Sequence, residues 1–440
     1  MDLHPVLLGK LNEALMPFSA GGFTRRDAAL PNVRGKVHAV IGMRRSGKTT
    51  FLKQLLTAQK QSRESELSLY ISFDDDRLAD VSLADLSHLI EEYYRRYPEL
   101  RGRETICWYL DEIQLVQGWE RFVRRIMDTE RVEIVVSGSS ARMLSREVHT
   151  SLRGRGIDTV IRPYSFREFL RHRGEEPSRG PRRWTPAERS RIEKRFLEFL
   201  SEGGFPEVQG LPAPLRIELL QGYVNTVLFR DIVERYGVTQ VAALRWLIRH
   251  CLRNPAAAYS IHRLYKDLKS QGHAIAKDTV YAFLEHILDS FLLSSVPLAT
   301  DSERRRNSNP RKLYPADTGL IGAFDMGGRA NTGHALESAI LTEIERRKAD
   351  IGYVKTDEGH EIDFLARYPA RGAELIQVCS DISNEATLKR ELRALREARD
   401  IPHKARKLLL VLTHEHALSF IGTGIDAVPA YEWMLPDEGE

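Results

Sequence analysis

A strand, a glycine-bracketed turn and a helix meet in one short stretch, and nothing else in the chain constrains its fold as tightly. It reads Lys36-Val37-His38-Ala39-Val40-Ile41-Gly42-Met43-Arg44-Arg45-Ser46-Gly47-Lys48-Thr49-Thr50. The apolar run 37–41 predicts a buried strand that stops at Gly42. Phe51, Leu52, Leu55 and Leu56 then recur at helical spacing. Between them lies the full G-x-x-x-x-G-K-[ST] pattern, in the strand-to-helix context that gives it meaning. The glycines let the backbone curl so that N–H groups along Gly42, Arg44, Arg45, Ser46, Gly47, Lys48, Thr49 and Thr50 point at phosphate oxygens. The helix N-terminus adds partial positive charge. In that geometry Lys48 reaches the β and γ phosphates of ATP, and the Thr49 hydroxyl ligates Mg2+.

A second signature sits downstream. Thr105-Ile106-Cys107-Trp108-Tyr109-Leu110-Asp111-Glu112 is an apolar strand ending in two carboxylates. After a phosphate loop, the first such carboxylate supports magnesium and the next polarises the attacking water as general base. One strand, 66–73, intervenes. That order, with Glu112 directly after Asp111, points to the ATPase division that includes the AAA-type machines, not to small-metabolite kinases or GTPases. The next strand, starting at Val132, runs into Ser137-Gly138-Ser139-Ser140. Two readings of Ser137 stand: a sensor of the γ phosphate, or part of a Ser-rich turn capping a helix at Ala141. A fifth strand follows at 157–161. Arg155, or failing it Arg153, lies just before that strand, either as an arginine finger for a neighbouring subunit of a homo-oligomer or as solvated surface charge. Strands alternating with helices predict a mostly parallel sheet with helices on both faces and the nucleotide at its carboxyl edge.

Composition excludes several classes. Lys plus Arg is 65 against 61 Asp plus Glu, a net charge of +4, too mild for a histone-like strategy. No apolar run approaches the ~20 residues of a membrane span, so no membrane partner is expected. The start Met1-Asp2-Leu3-His4 lacks the features of a secretory signal. Cys107, Cys251 and Cys379 are far apart with no metal-ligand spacing, which fits a reduced, cytoplasmic setting.

The remaining chain reads as further domains: 1–165 an N-terminal helix and ATPase core, 166–240 a helical lid, 241–325 a winged-helix module, 326–440 a nuclease-like domain. The polar stretch 171–184 reads as a mobile loop. In the winged-helix module Ser260 caps a first helix, Gln271-Gly272-His273 turns, and a second helix and a wing strand follow. Lys266, Lys269 and Lys277 lie near the groove-facing edge. Arg304, Arg305 and Arg306 form a basic loop. These six are candidate DNA contacts, and a protein-contact role fits the same module equally well. The last domain carries Glu337 on a helix, Asp363 on a strand and Gln377 on the next. That is the order of a restriction-endonuclease-like α/β core.

These motifs, with Pro163-Tyr164-Ser165-Phe166-Arg167-Glu168-Phe169, Gly203-Gly204-Phe205-Pro206-Glu207-Val208, Arg230-Asp231-Ile232-Val233 and Lys312-Leu313-Tyr314-Pro315-Ala316-Asp317-Thr318-Gly319-Leu320, come in a specific order. In that order the chain resembles the prokaryotic AAA-type ATP-binding proteins that carry a C-terminal domain of unknown function. The resemblance covers nearly the whole chain and implies an ATPase core, a winged-helix middle and a nuclease-like end. One departure stands out. Active nucleases of this type place an acid-x-Lys pair on the strand after the aspartate, and here the pair is Gln377-x-Cys379. A non-cleaving core is expected, with a lysine from elsewhere, such as Lys389, as the escape route. An ATP-driven DNA motor or remodeller is the first reading; the alternatives are a nucleotide-gated switch at a protein interface and, if the escape-route lysine serves, an ATP-coupled nuclease.

Overall fold

The structure is a computed structural model. It describes residues 4–17, 21–138, 150–325, 331–369, 371–383, 385–398 and 405–436. The chain divides into two units, Met1–Arg162 with Asp289–Phe291, and Pro163–Leu288 with Leu292–Glu440.

The first unit is built on a five-stranded sheet: β1 (Val37–Ile41), β2 (Ser68–Ser72), β3 (Ile106–Asp111), β4 (Val132–Ser137) and β5 (Gly156–Val160), in the order β2-β3-β4-β1-β5. Every pairing is parallel. Both faces are apolar, as a covered parallel sheet requires. Ile106, Trp108 and Leu110 of β3 face one core with α1 (Pro5–Leu15), α3 (Leu83–Arg96) and α4 (Trp119–Thr129). Cys107 and Tyr109 face the other with Phe51, Leu52 and Leu56 of α2 (Lys48–Ser62). This alternation is the period of two that a strand imposes. Local chemistry sets the helix starts. Ser82 and Asp85 form a reciprocal capping box at the head of α3. Among the described residues no helix is long and apolar enough to cross a membrane.

The second unit holds two further sheets. The smaller orders β6 (Ala258–Tyr259), β8 (Arg311–Pro315) and β7 (Leu293–Val296), with β8 central and antiparallel to both. The larger orders β13 (Asp426–Pro429), β12 (Arg406–Val411), β11 (Gly372–Cys379), β10 (Glu361–Tyr368) and β9 (Asp350–Lys355). Its pairings are antiparallel from β9 to β11 and parallel from β11 to β13. The helix Thr332–Arg346 buries Leu336, Ile340 and Ile344 in the same core as Phe364 of β10 and Ile376 of β11. Gly203, at φ +78, breaks the helix Pro186–Glu202, and a Cβ there would stand 1.9 Å from Asp317 Oδ1. That carboxylate caps the helix Thr318–Phe324, accepting from Gly319 N, and also accepts from Gly204 N at 2.7 Å.

Two stretches differ from the sequence expectation. The polar run 171–184 is packed: Arg171 pairs with Glu176 at 2.6 Å, and Trp184 is buried with its indole N–H donating to Arg179 O. Residues 304–306 belong to a short helix, Glu303–Ser308, because Ser302 caps it by accepting from Arg305 N. The helix-capping alternative for Ser137, at Ala141, falls outside the described residues.

Candidate functional site

At the carboxyl end of β1 the chain turns at Gly42, where φ is +146 and a Cβ would lie 2.1 Å from the Ile161 carbonyl oxygen. No side chain fits that approach. Arg45 takes φ +64, and Gly47, at φ +96, begins α2. The six-residue curl from Gly42 to Gly47 thus ends on a helix N-terminus that faces the carboxyl edge of the sheet. Lys48 folds back over it, its ammonium donating to Gly42 O at 2.9 Å and Met43 O at 3.1 Å. These two acceptors are neutral carbonyls, and a phosphate oxygen is the stronger acceptor for an ammonium.

Parallel register brings the carboxylates to this loop. Asp111 ends β3, opposite Ser72 on one side and Ser137 on the other. It is 2% exposed and accepts from three hydroxyls: Thr49 at 2.8 Å, Tyr70 at 2.7 Å, and Ser137. Burial, and after it the Asp111 charge, holds the Tyr70 phenol far above its ordinary range, so Tyr70 stays a donor. Glu112 follows in the left-handed region at φ +56, and Gln114 Nε2 donates to its Oε2. A non-glycine residue held there is a recurring mark of a working site. Thr49 and Asp111 offer hydroxyl and carboxylate oxygens, the donors a hard cation such as magnesium takes. The residues present therefore fit that ion.

Two residues here were not legible in the sequence. Arg26 is buried, and its guanidinium donates to Ser46 O at 2.9 Å and to Arg162 O, tying the phosphate loop to the chain leaving β5. Tyr70 sits on β2 between Leu69 and Ile71, which face the opposite core. That alternation is the only signal that it points toward α2.

Arg155 and Arg153 precede β5 at the amino edge of the sheet. Val37 N donates to Arg155 O, and the Arg155 guanidinium meets Asp128 of α4 at 2.5 Å. β1 separates that edge from the phosphate loop by about 13 Å at strand rise. Neither arginine serves the loop of its own chain.

In the second unit Lys266 and Lys269 lie three apart on the helix Ile261–Ser270, and Lys277 opens the helix Lys277–Asp289. All three are exposed, as are Arg304 and Arg305, while Arg306 is half-buried near Asp350. Glu337, Asp363 and Gln377 do converge. A register shift between Ile362 and Leu365 re-aims Asp363. Gln377 Nε2 and Val378 N donate to its Oδ2 at 2.8 and 3.0 Å. Gln377 therefore turns its amide N–H to the aspartate. The cation beside these carboxylates is Lys312 of β8, 3.1 Å from Asp363 Oδ1 and 3.3 Å from Glu337 Oε1. Lys389 is on the exposed side of the helix Glu385–Glu397. Burial, then the Asp363 charge, raises Glu337 to about 7, with Lys312 and Tyr314 opposing.

Residues 34–170 match the family model described as an AAA domain, and residues 193–330 match a domain of unknown function. An uncharacterized protein of Methanocaldococcus jannaschii, MJ1544, is 30% identical over 421 residues, 93% of this chain and 90% of the relative. The chain belongs to that protein's family. An uncharacterized protein of Haemophilus influenzae is 28% identical over 75% of this chain and 79% of its own length. Among solved structures, the Walker-type ATPase PABY2304 of Pyrococcus abyssi shares 13% identity at a TM-score of 0.41, covering 73% of this chain and 95% of that one. The Orc1 protein of Aeropyrum pernix, solved in complex with DNA, gives 16% and 0.29, over 66% and 86%. Similarity that low says nothing of what this chain acts on. The AAA-domain match and the sheet order together make the first unit a phosphate-loop domain of the AAA type.

Proposed function

We propose that the chain is a magnesium-dependent ATPase that uses hydrolysis to act on DNA. The observation that carries the ATPase reading is the Thr49–Asp111 hydrogen bond beside Lys48, which joins the phosphate loop to the carboxylate strand. Lys48 neutralises the β and γ phosphates. Thr49 and Asp111 would hold magnesium, which would supply positive charge at the terminal phosphate. Tyr70 and Ser137 orient Asp111 through their hydroxyls, and in this reading Ser137 also senses the γ phosphate. Glu112 takes the proton of the attacking water as its oxygen bonds to the terminal phosphorus. The bond from that phosphorus to the bridging oxygen breaks, and ADP leaves with the electron pair. Arg155, or Arg153, reaches the nucleotide of a second copy in a homo-oligomer.

For DNA, we read residues 166–240 as a lid, 241–325 as a winged-helix module and 326–440 as a restriction-endonuclease-like domain that does not cut. The exposure of Lys266, Lys269, Lys277, Arg304 and Arg305 supports phosphate contact. Such contacts release counterions, so affinity falls steeply with salt and little with sequence. The experiment is the ATPase rate against single-stranded, duplex and branched DNA, beside a Lys277→Glu/Arg305→Glu variant. Stimulation that the variant loses, with a flatter salt slope of binding, supports the reading. An ATPase rate indifferent to every DNA favours the second function, a nucleotide-gated switch at a protein interface, for which the modest net charge of +4 speaks.

A further inference from the structure

At the amino ends of β11 and β12 the second unit holds a cavity of about 630 Å³. Glu374 and Arg406, opposite each other in the parallel register, both line it. Gln377 lies three residues further along β11, about 10 Å at strand rise. The cavity therefore sits at the other end of these strands from Gln377 and the Asp363 it bonds. Four arginines line the space, each from a different segment: Arg182 in the turn Pro181–Arg183, Arg347 after the helix Thr332–Arg346, Arg371 before β11 and Arg406 opening β12. The two carboxylates of the lining are already engaged. Glu432 pairs with Arg189, outside the lining, at 3.0 Å, and Glu374 accepts from the Tyr368 hydroxyl at 3.0 Å.

These guanidinium groups have donors to offer, since each carries five N–H groups. Arg347 gives one to Glu343 at 3.0 Å and one to the Trp433 carbonyl at 2.7 Å. Its Cζ lies over the Trp433 indole, 3.9 Å from the ring centroid, and that stack fixes the direction of the other donors. Arg406 turns two toward Asp426, which is exposed. Arg371 is exposed and makes no hydrogen bond or ion pair with another described residue. A guanidinium fork matches phosphate oxygens in pairs, with charge-assisted bonds about twice as strong as neutral ones. Several forks around one space suit an anion with several charged groups. The volume lies within the range of small-molecule sites, about 300–1,000 Å³. A nucleic-acid strand takes instead a groove that tracks its backbone.

We propose that this arginine-lined cavity binds a small oligophosphate, free or as the tail of a nucleotide, through Arg347, Arg371 and Arg406. Arg347 is the fixed contact, held against Trp433, and Arg371 and Arg406 are the exposed arms that meet the ligand. The site lies outside the phosphate-loop unit, and the proposal is independent of the ATPase reading.

The test is calorimetric titration of the full chain with tripolyphosphate and, separately, with ATP. Every protein in the series carries Lys48→Ala, so any residual binding at the phosphate loop is common to all. One tripolyphosphate should bind per chain. Arg371→Glu should weaken it at least ten-fold, and Lys266→Glu, at an exposed lysine outside the cavity, should leave it unchanged. ATP bound more tightly than tripolyphosphate, and equally sensitive to Arg371→Glu, assigns a nucleotide; tripolyphosphate bound as tightly or more so assigns the free oligophosphate. Absence of binding, or binding that Arg371→Glu and Arg406→Gln both leave intact, would overturn the proposal. So would an equal loss in Lys266→Glu, the mark of diffuse surface charge. Displacement of tripolyphosphate by duplex DNA at the same phosphate concentration would overturn it too, making these arginines part of a nucleic-acid face. Arg371 has no contact of this kind among the described residues to lose, so Arg371→Glu should fold as the parent does, which its unfolding profile checks.

Discussion

Glu112→Gln separates binding from chemistry at the phosphate-loop site. The substitution keeps shape and length. Glutamine tolerates the same φ of +56, and its amide oxygen still accepts from Gln114 Nε2. The hydroxyls of Thr49, Tyr70 and Ser137 bond to Asp111, so the hydrogen bonds that orient the magnesium-side carboxylate remain in the variant. Nucleotide affinity should therefore stay within about three-fold of wild type, less than 1 kcal/mol. What is lost is the proton acceptor. A positioned general base contributes about 10²–10⁴ in rate, or about 3–5 kcal/mol of barrier. The assay is single-turnover phosphate release measured beside retained nucleotide on the same protein. A rate within ten-fold of wild type at full occupancy would refute Glu112 as the base. Loss of occupancy would show instead that Glu112 holds the nucleotide site together.

Arg26→Ala removes two charged hydrogen bonds to carbonyls, at about 1.5–3 kcal/mol each, so it should lower stability by about 3 kcal/mol or more and weaken nucleotide binding; denaturant unfolding with and without ATP checks both. Burial raises Asp317 from its ordinary 3.8 to about 6. The folded chain thus holds a proton there that the unfolded chain releases earlier, so this stability is full below about pH 4 and is lost as pH rises through 6. Relative to Asp317→Asn, wild type should lose about 3 kcal/mol across that window, and a difference in melting temperature that stays flat with pH counts against it. Arg155→Ala mixed with Lys48→Ala should regain part of the activity each lacks alone, since some interfaces become intact on both sides; mixed oligomers without any rescue exclude the role across subunits.

The phosphate-loop half of this molecule is written in short-range sequence. β1, the curl and α2 are contiguous, and Asp111 and Glu112 are marked by an apolar run that ends in acid, so their placement needed no tertiary information. The convergence of Glu337, Asp363 and Gln377 was legible for a similar reason, as each ends or interrupts a periodic element. The partners were not. Arg26 meets Ser46 across 20 positions and Tyr70 meets Asp111 across 41. Lys312 meets Asp363 across 51, and at that separation no local pattern selects one lysine over another. Lys389 is the sequence's example of a substitute cation because it lies on the helix that follows β11. β8 brings Lys312 instead, with Tyr314 on the same face two residues on. Loops rich in arginine misled for a different reason. At 171–184 Arg171 pairs with Glu176, Arg173 pairs with Glu198 and Glu202, and the buried Trp184 anchors the segment, which polarity alone conceals.

The most direct measurement of the central claim is phosphate release from ATP by wild type and by Lys48→Ala, each with magnesium and with excess chelator. Lys48 sets its ammonium over the loop carbonyls of Gly42 and Met43. Wild type should hydrolyse ATP only with magnesium, and Lys48→Ala should fall to background in both conditions while keeping the wild-type unfolding profile. A well-folded Lys48→Ala chain that hydrolyses ATP at the wild-type rate, or a wild-type rate indifferent to the chelator, would contradict the assignment of this loop as the engine.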